Sequence, residues 1–159
     1  MFFRNRQSHR RTRGFTLLEL FTTATVLLIL AGALVPMVKH TQRREKEQEL
    51  RRVLREMRQA IDTYKAYADA GRITPPPPEN FGYPESLDLL VEGVNLQPKG
   101  TTVRFLRRIP VDPFTGKAEW GMRSIADEPD STSWGGSNVF DVYSLSQGTG
   151  FNQVPYREW

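Results

Sequence analysis

Residues 13–38 read RGFTLLELFTTATVLLILAGALVPMV, and the fold turns on what this stretch is. From Phe15 to Val38 it runs for 24 residues with one charged side chain, Glu19. As a helix rising about 1.5 Å per residue it would be roughly 36 Å long, enough to cross a bilayer core of about 30 Å. Arg10, Arg11 and Arg13 precede it; Lys39, Arg43 and Arg44 follow it. Together with Arg4 and Arg6, the segment before it holds five arginines and no acid. That charge bias keeps the N-terminal side cytoplasmic and sends the rest of the chain outward.

Three readings fit an apolar run of this kind. A secretory signal peptide has an apolar region of roughly 7–15 residues with a small-residue cleavage site after it. This run is longer, and Ala31-Gly32-Ala33 is a poor site. A plain membrane anchor explains the length and the flanking charge but not Glu19. The third reading puts processing before the run, between Gly14 and Phe15. An ionised carboxylate at a membrane helix centre costs about 2.5–3.5 kcal/mol by insertion scales, and less near the entry end. Glu19 either snorkels to the headgroups or takes a cation once buried. A cut after Gly14 would create an amine on Phe15, one helical turn away, in its own chain or a neighbour.

Arg13-Gly14-Phe15-Thr16-Leu17-Leu18-Glu19-Leu20 resembles the signal of type IV pilins and type II secretion pseudopilins. The resemblance implies that a membrane-embedded prepilin peptidase cuts after Gly14 and N-methylates Phe15. It places the family's glutamate at Glu19 and its proline at Pro36. It implies a filament built by stacking these helices, with Glu19 neutralised by Phe15. Elementary chemistry agrees: Gly14 offers a protease an unobstructed backbone, and Pro36 lacks an N–H and should kink or loosen the helix.

Beyond the run, Leu50, Val53, Leu54, Met57, Ala60, Ile61, Tyr64, Tyr67 and Ala68 recur at spacings of three and four, the stripe of an amphipathic helix. The opposite face carries Arg43, Arg44, Glu45, Lys46, Glu47, Glu49, Arg51, Arg52, Arg55, Glu56 and Arg58. These charges are expected on a solvated face, with Glu47 and Arg51 as a favourable i, i+4 pair. Pairing between neighbouring subunits is the functional alternative. The interspersed glutamates and the lack of an aromatic platform argue against nucleic acid as a partner. A coiled coil over residues 45–68 is the competing structural reading.

Gly71 should end this helix, and Pro75–Pro78 should form a stiff extended connector. Pro84–Glu92 reads as a short helix. Arg104–Ile109, Lys117–Ser124 and Val139–Ser144 read as extended, with the polar loop Ile125–Asn138 between the last two. The expected fold is α+β: a long N-terminal transmembrane and amphipathic helix packed on a small antiparallel sheet of three or four strands. The resemblance implies the lollipop shape of pilins. The chain divides into a leader (1–14), a transmembrane and assembly helix (15–38), its amphipathic continuation (39–70) and a small outer domain (71–159).

The formal net charge of +4 includes the five leader arginines, so the remainder carries −1. With no cysteine, disulfides, thiolate zinc sites and cysteine nucleophiles are excluded, and the two histidines, His9 and His40, have no cysteine with which to build a metal site. No nucleophile–base set or phosphate loop stands out, and the chain reads as non-enzymatic. Asp127, Glu128 and Asp130 lack EF-hand spacing. The segment Leu106–Phe114 and the block Phe140–Ser144 through Trp159 resemble parts of the major pseudopilin of type II secretion. That resemblance implies calcium in a C-terminal loop. Here the loop is Leu145–Gln153, which has no carboxylate, leaving Asp141 as a weak calcium candidate and no cofactor expected. Phe151, Tyr156 and Trp159 are expected to pin the tail to the sheet instead.

The resemblance implies a pseudopilin in the inner membrane with a periplasmic domain. Its partners would be the membrane, prepilin peptidase, copies of itself and other pseudopilins, with a secretion ATPase and platform acting indirectly. The alternatives are a type IV pilin for adhesion, motility or DNA uptake, or a bitopic membrane protein with an outer binding domain.

Overall fold

The computed structural model describes residues 14–98 and 100–159, with the side chains of residues 32–40 outside the description. Most of the expected leader, residues 1–13, also lies outside it. Two compact units are formed, Met1–Gln42 and Arg43–Trp159. Helix α1 (Leu17–Asp69) contributes to both.

In the first unit, none of the described residues covers the apolar run as far as Ala31. Phe15 is 78% and Leu28 73% exposed, and Leu17, Leu18, Phe21, Leu27 and Ile29 are similarly open. Among the described residues, no helix is long and apolar enough to cross a membrane. The expected span is described in its side chains only as far as Ala31. The kink expected at Pro36 falls among side chains outside the description, although the residue lies within α1.

The second unit is built on the stripe foreseen in α1. Leu50, Val53, Leu54, Met57, Ala60, Ile61 and Tyr64 are all buried, and Tyr67 and Ala68 pack at the edge of the same cluster. Their partners are Ile73, Leu87, Leu90, Leu106, Trp120, Val139, Val142 and Tyr156. Gly71 ends the helix as expected: at φ 63° it lets its own N–H reach Ala68 O, while the Arg72 N–H reaches Tyr67 O. This is the paired hydrogen-bond pattern that closes a helix on a left-handed glycine.

Helix α2 is shorter than expected, Leu87–Glu92 rather than Pro84–Glu92. Ser86 caps it, its hydroxyl accepting from the Leu89 N–H. Pro84 serves elsewhere, its carbonyl accepting from Val139 N–H at 2.8 Å. The proline connector also ends early, in a 3-10 turn over Pro78–Asn80.

The sheet departs most from expectation. There are two separate antiparallel pairs among the described residues, not one sheet of three or four strands. Strands β1 (Val94–Asn95) and β2 (Thr102–Val103) form one; β3 (Gly121–Arg123) and β4 (Asp141–Tyr143) form the other. Arg104–Ile109 was expected to be extended and does not pair, because Phe105 N–H and Leu106 N–H both donate to Leu90 O at the end of α2. That turn drives Leu106 into the core and sets Phe105 edge-on to Tyr64 and Tyr67. The β3–β4 pair sits where Lys117–Ser124 and Val139–Ser144 were read as strands. At Gly121 an added Cβ would lie 2.2 Å from the Tyr143 ring, so only glycine fits under that tyrosine.

Met57 is fully buried at the centre of the stripe. Met57→Ala should destabilise the second unit by about 2–5 kcal/mol, as for other large-to-small core changes. Urea unfolding would read this as a lower midpoint at unchanged slope.

Candidate functional site

Two places on the chain carry unusual chemistry. The first is the start of α1. Gly14, Phe15 and Thr16 precede the helix, exposed and in no regular structure, and nothing lies within 4 Å of a Cβ placed on Gly14. The backbone at Gly14 and Phe15 is therefore exposed and outside regular structure. Thr16 caps the helix: its Oγ1 accepts from the Glu19 N–H at 3.2 Å. Thr16-Leu17-Leu18-Glu19 has the spacing of a capping box, a signal that hydropathy alone passes over. Glu19 thus stands in the first turn, where the helix dipole favours an anion.

The hydroxyls that follow are satisfied within the helix. Thr22 and Thr23 donate to Glu19 O, and Thr25 donates to Phe21 O at 2.8 Å. Such back-bonding lets threonine sit in a medium without water. The Glu19 carboxylate is different, with no hydrogen bond or ion pair among the described residues. Glu19 lies in the first turn of α1, and Gly14 and Phe15 lie just before the helix. Pro36 lies further along α1.

The second place is where the C-terminal segment meets α1. Glu47 was expected on a solvated face and is instead 8% exposed. Its Oε1 accepts from Tyr156 Oη at 3.0 Å and from the Phe151 N–H at 3.1 Å. Arg43, 3.5 Å from the same oxygen, also donates to Tyr156 Oη and to Thr149 O. Glu47 therefore pairs with Arg43 and not with Arg51 as expected. Arg51 lies over the Trp159 ring at 4.2 Å. Tyr156 is stacked on Phe114 and meets Trp159 edge-on. The tail is pinned by its aromatics, as expected, but largely against α1 and its charges rather than a sheet.

Asp141 sits between two arginines. Arg58 donates to Oδ1 at 2.7 Å, and Arg123 reaches Oδ2 at 3.4 Å. Arg123 is buried, and also donates to Ser131 O and Arg157 O. Arg58 was expected in solvent, yet it donates to Val142 O and to the main-chain oxygen of Trp159. Two guanidinium groups on one carboxylate leave no place for a divalent cation, so the surroundings of Asp141 do not fit calcium. Asp127 does not offer a free ligand set either. Its Oδ2 accepts from the N–H groups of Ser124 and Gly135, which hold its carboxyl below the usual range. Among the described residues no cluster of three or more acidic, histidine or cysteine side chains is placed to hold a metal. Asp112, which the sequence marks only as part of the segment Leu106–Phe114, is fully buried; its Oδ2 accepts from Ser144 Oγ at 2.5 Å and its Oδ1 caps the turn at Phe114.

Compared with known proteins, the chain is 30% identical over 142 residues to type II secretion system core protein G of Pseudomonas aeruginosa. The aligned part spans 86% of this chain and 84% of that protein. No protein-family model matches the chain, and no solved structure matches it.

Burial, reinforced by the hydrogen bond to Glu47 and opposed by the one from Arg43, raises the Tyr156 phenol above its ordinary value. A phenol raised on folding loses stability as pH climbs past the unfolded value of about 10. Tyr156→Phe should cost about 1 kcal/mol at neutral pH and flatten part of that alkaline decline. Tyr64, also raised by burial, supplies a remainder. Thermal unfolding across pH 7–11 reads both effects. In the same assay Asp141→Asn should destabilise by about 2–3 kcal/mol, since it strands two guanidinium groups. Calcium or a chelator should leave the wild-type midpoint unchanged.

Proposed function

Because the chain belongs to the family of type II secretion system core protein G, we propose that it is a pseudopilin, a structural subunit of a secretion filament. The observation that carries this reading is the uncovered, largely apolar surface from Phe15 to Leu30, whose one charged side chain, Glu19, has no partner among the described residues. An isolated soluble protein does not leave so large a contiguous apolar surface in water. A membrane covers it before assembly, and neighbouring copies of the same helix cover it afterwards.

The sequence of events follows from the residues. The leader arginines hold the N-terminal side in the cytoplasm, and the apolar run anchors the chain in the inner membrane. A prepilin peptidase cuts the exposed Gly14–Phe15 bond, and Phe15 becomes the N-methylated first residue. Its amine, still cationic after methylation, neutralises Glu19 in the same chain or the next. That pairing removes the cost of an ionised carboxylate among apolar helices. The second unit then coats the filament on the periplasmic side. The role is structural, with peptidase and secretion ATPase acting on the subunit from outside. Pro36 loosens the helix where packed subunits adjust to one another.

The mature N-terminus tests this directly. Mass spectrometry of the protein from membranes should find chains beginning at methylated Phe15, and an intact leader would contradict the reading. Glu19→Ala should be cleaved normally yet yield at least about tenfold fewer filaments, given the cost of leaving a buried charge unpaired. Wild-type filament yield from that variant would remove the role given to Glu19.

A further inference from the structure

The second unit carries two groups of like charges that its own fold leaves unpaired. On α1, Arg51 and Arg55 are i, i+4 neighbours, an arrangement of like charges that weakens a helix. Arg51 lies over the Trp159 ring, and among the described residues neither it nor Arg55 has a hydrogen bond or ion pair. Neighbouring charges on this helix are satisfied: Arg52 bridges Glu49 and Glu56, and Arg58 holds Asp141. On α2 the sign is reversed. Asp88 and Glu92 are also i, i+4, and Glu85 precedes them by one turn. All three are exposed, and none has an ion pair among the described residues.

The basic pair borders a shallow cleft of about 310 Å³, whose lining includes the apolar Leu54, Val154 and Trp159 and one acid, Glu158. Arg58 at its edge is held by Asp141, so the cations of Arg51 and Arg55 outnumber the single carboxylate, and the cleft fits a short acidic helix bearing apolar neighbours. Helix α2 matches, since Leu89 and Val91 are only partly buried beside its acids. We propose that the cleft at Arg51 and Arg55 receives the acidic face of α2, Asp88 and Glu92, from a second copy of this chain. Unlike patches on one subunit make a head-to-tail contact, which propagates into an open helix when its rotation does not close. The inference rests on the filament reading and names the contact by which the outer units add to it.

Charge exchange tests it in the full-length, membrane-inserted protein. Arg51→Glu with Arg55→Glu, and separately Asp88→Lys with Glu92→Lys, should each lower sedimentable filament at least about tenfold; all four together should restore it to within about twofold of wild type. Failure of the combined variant to restore assembly would overturn the contact, as would wild-type yield from either reversal. Loss through misfolding is separated by a second measurement. The chain has no cysteine, so co-expressed Arg55→Cys and Asp88→Cys chains can be joined by a short bismaleimide linker. A linked dimer that needs both variants supports the contact. Filaments without that dimer overturn this inference alone, and absence of any wild-type filament overturns the functional reading as well. Linkage of Arg55→Cys to a protein of another mass, or to lipid, would put a different occupant in the cleft and overturn the assignment to a second copy.

Discussion

Burial of one stripe of α1, Leu50 through Tyr64, organises everything else in the second unit. Each of these side chains is removed from water at about 25 cal/mol per Å² of apolar surface. No strand pair here is long enough to hold a fold by itself. The short pairs β1–β2 and β3–β4 are stable because the helix supplies the other wall of their core. The domain is therefore a cover for a helix more than a sheet with a helix attached.

The same helix sets a contrast between its two parts. From Leu50 onward an apolar stripe meets its partners within the chain. From Phe15 to Leu30 the apolar side chains meet none. The polar atoms differ accordingly. The threonines of the first stretch close their hydrogen bonds inside the helix, whereas the Glu19 carboxylate has none among the described residues. In the second unit, Glu47, Asp112 and Asp141 are each given their partners by the fold. Of these, Glu47 ties the C-terminal segment to α1 through Tyr156 and Phe151, and Asp141 ties β4 to it through Arg58. The tail is held by Glu47 and Arg43 at one end and by Arg58 at the other.

Much of this was readable in the sequence because periodicity is a strong signal. The stripe, the glycine stop at Gly71 and the strands around Met122 and Val142 follow from spacing and composition. Hydropathy alone marks the apolar run, and charge marks its orientation. What escaped was non-local. Glu47 and Arg58 look like any solvated charge on a mixed-sign helix, and only the return of the tail, about a hundred residues later, buries them. The single sheet failed for a similar reason: Leu90 O captured two amides that a strand would have used. At the candidate site the position of Glu19 was legible, but the Thr16 cap beside it was hidden by attention to hydropathy. Asp112 was visible only as part of a turn.

The central claim is that the uncovered run belongs in a membrane before it belongs in a filament. A chain without cysteine accepts single spin labels cleanly. Labels placed one at a time from Leu17 to Ala31, in full-length protein in anionic liposomes, report exposure to oxygen and to a water-soluble nickel complex. The account predicts high oxygen contact and low nickel contact at every position between Phe21 and Ala31. Accessibility to nickel that rises and falls with the helical period of about 3.6 residues would describe a helix lying on the surface, and would contradict it.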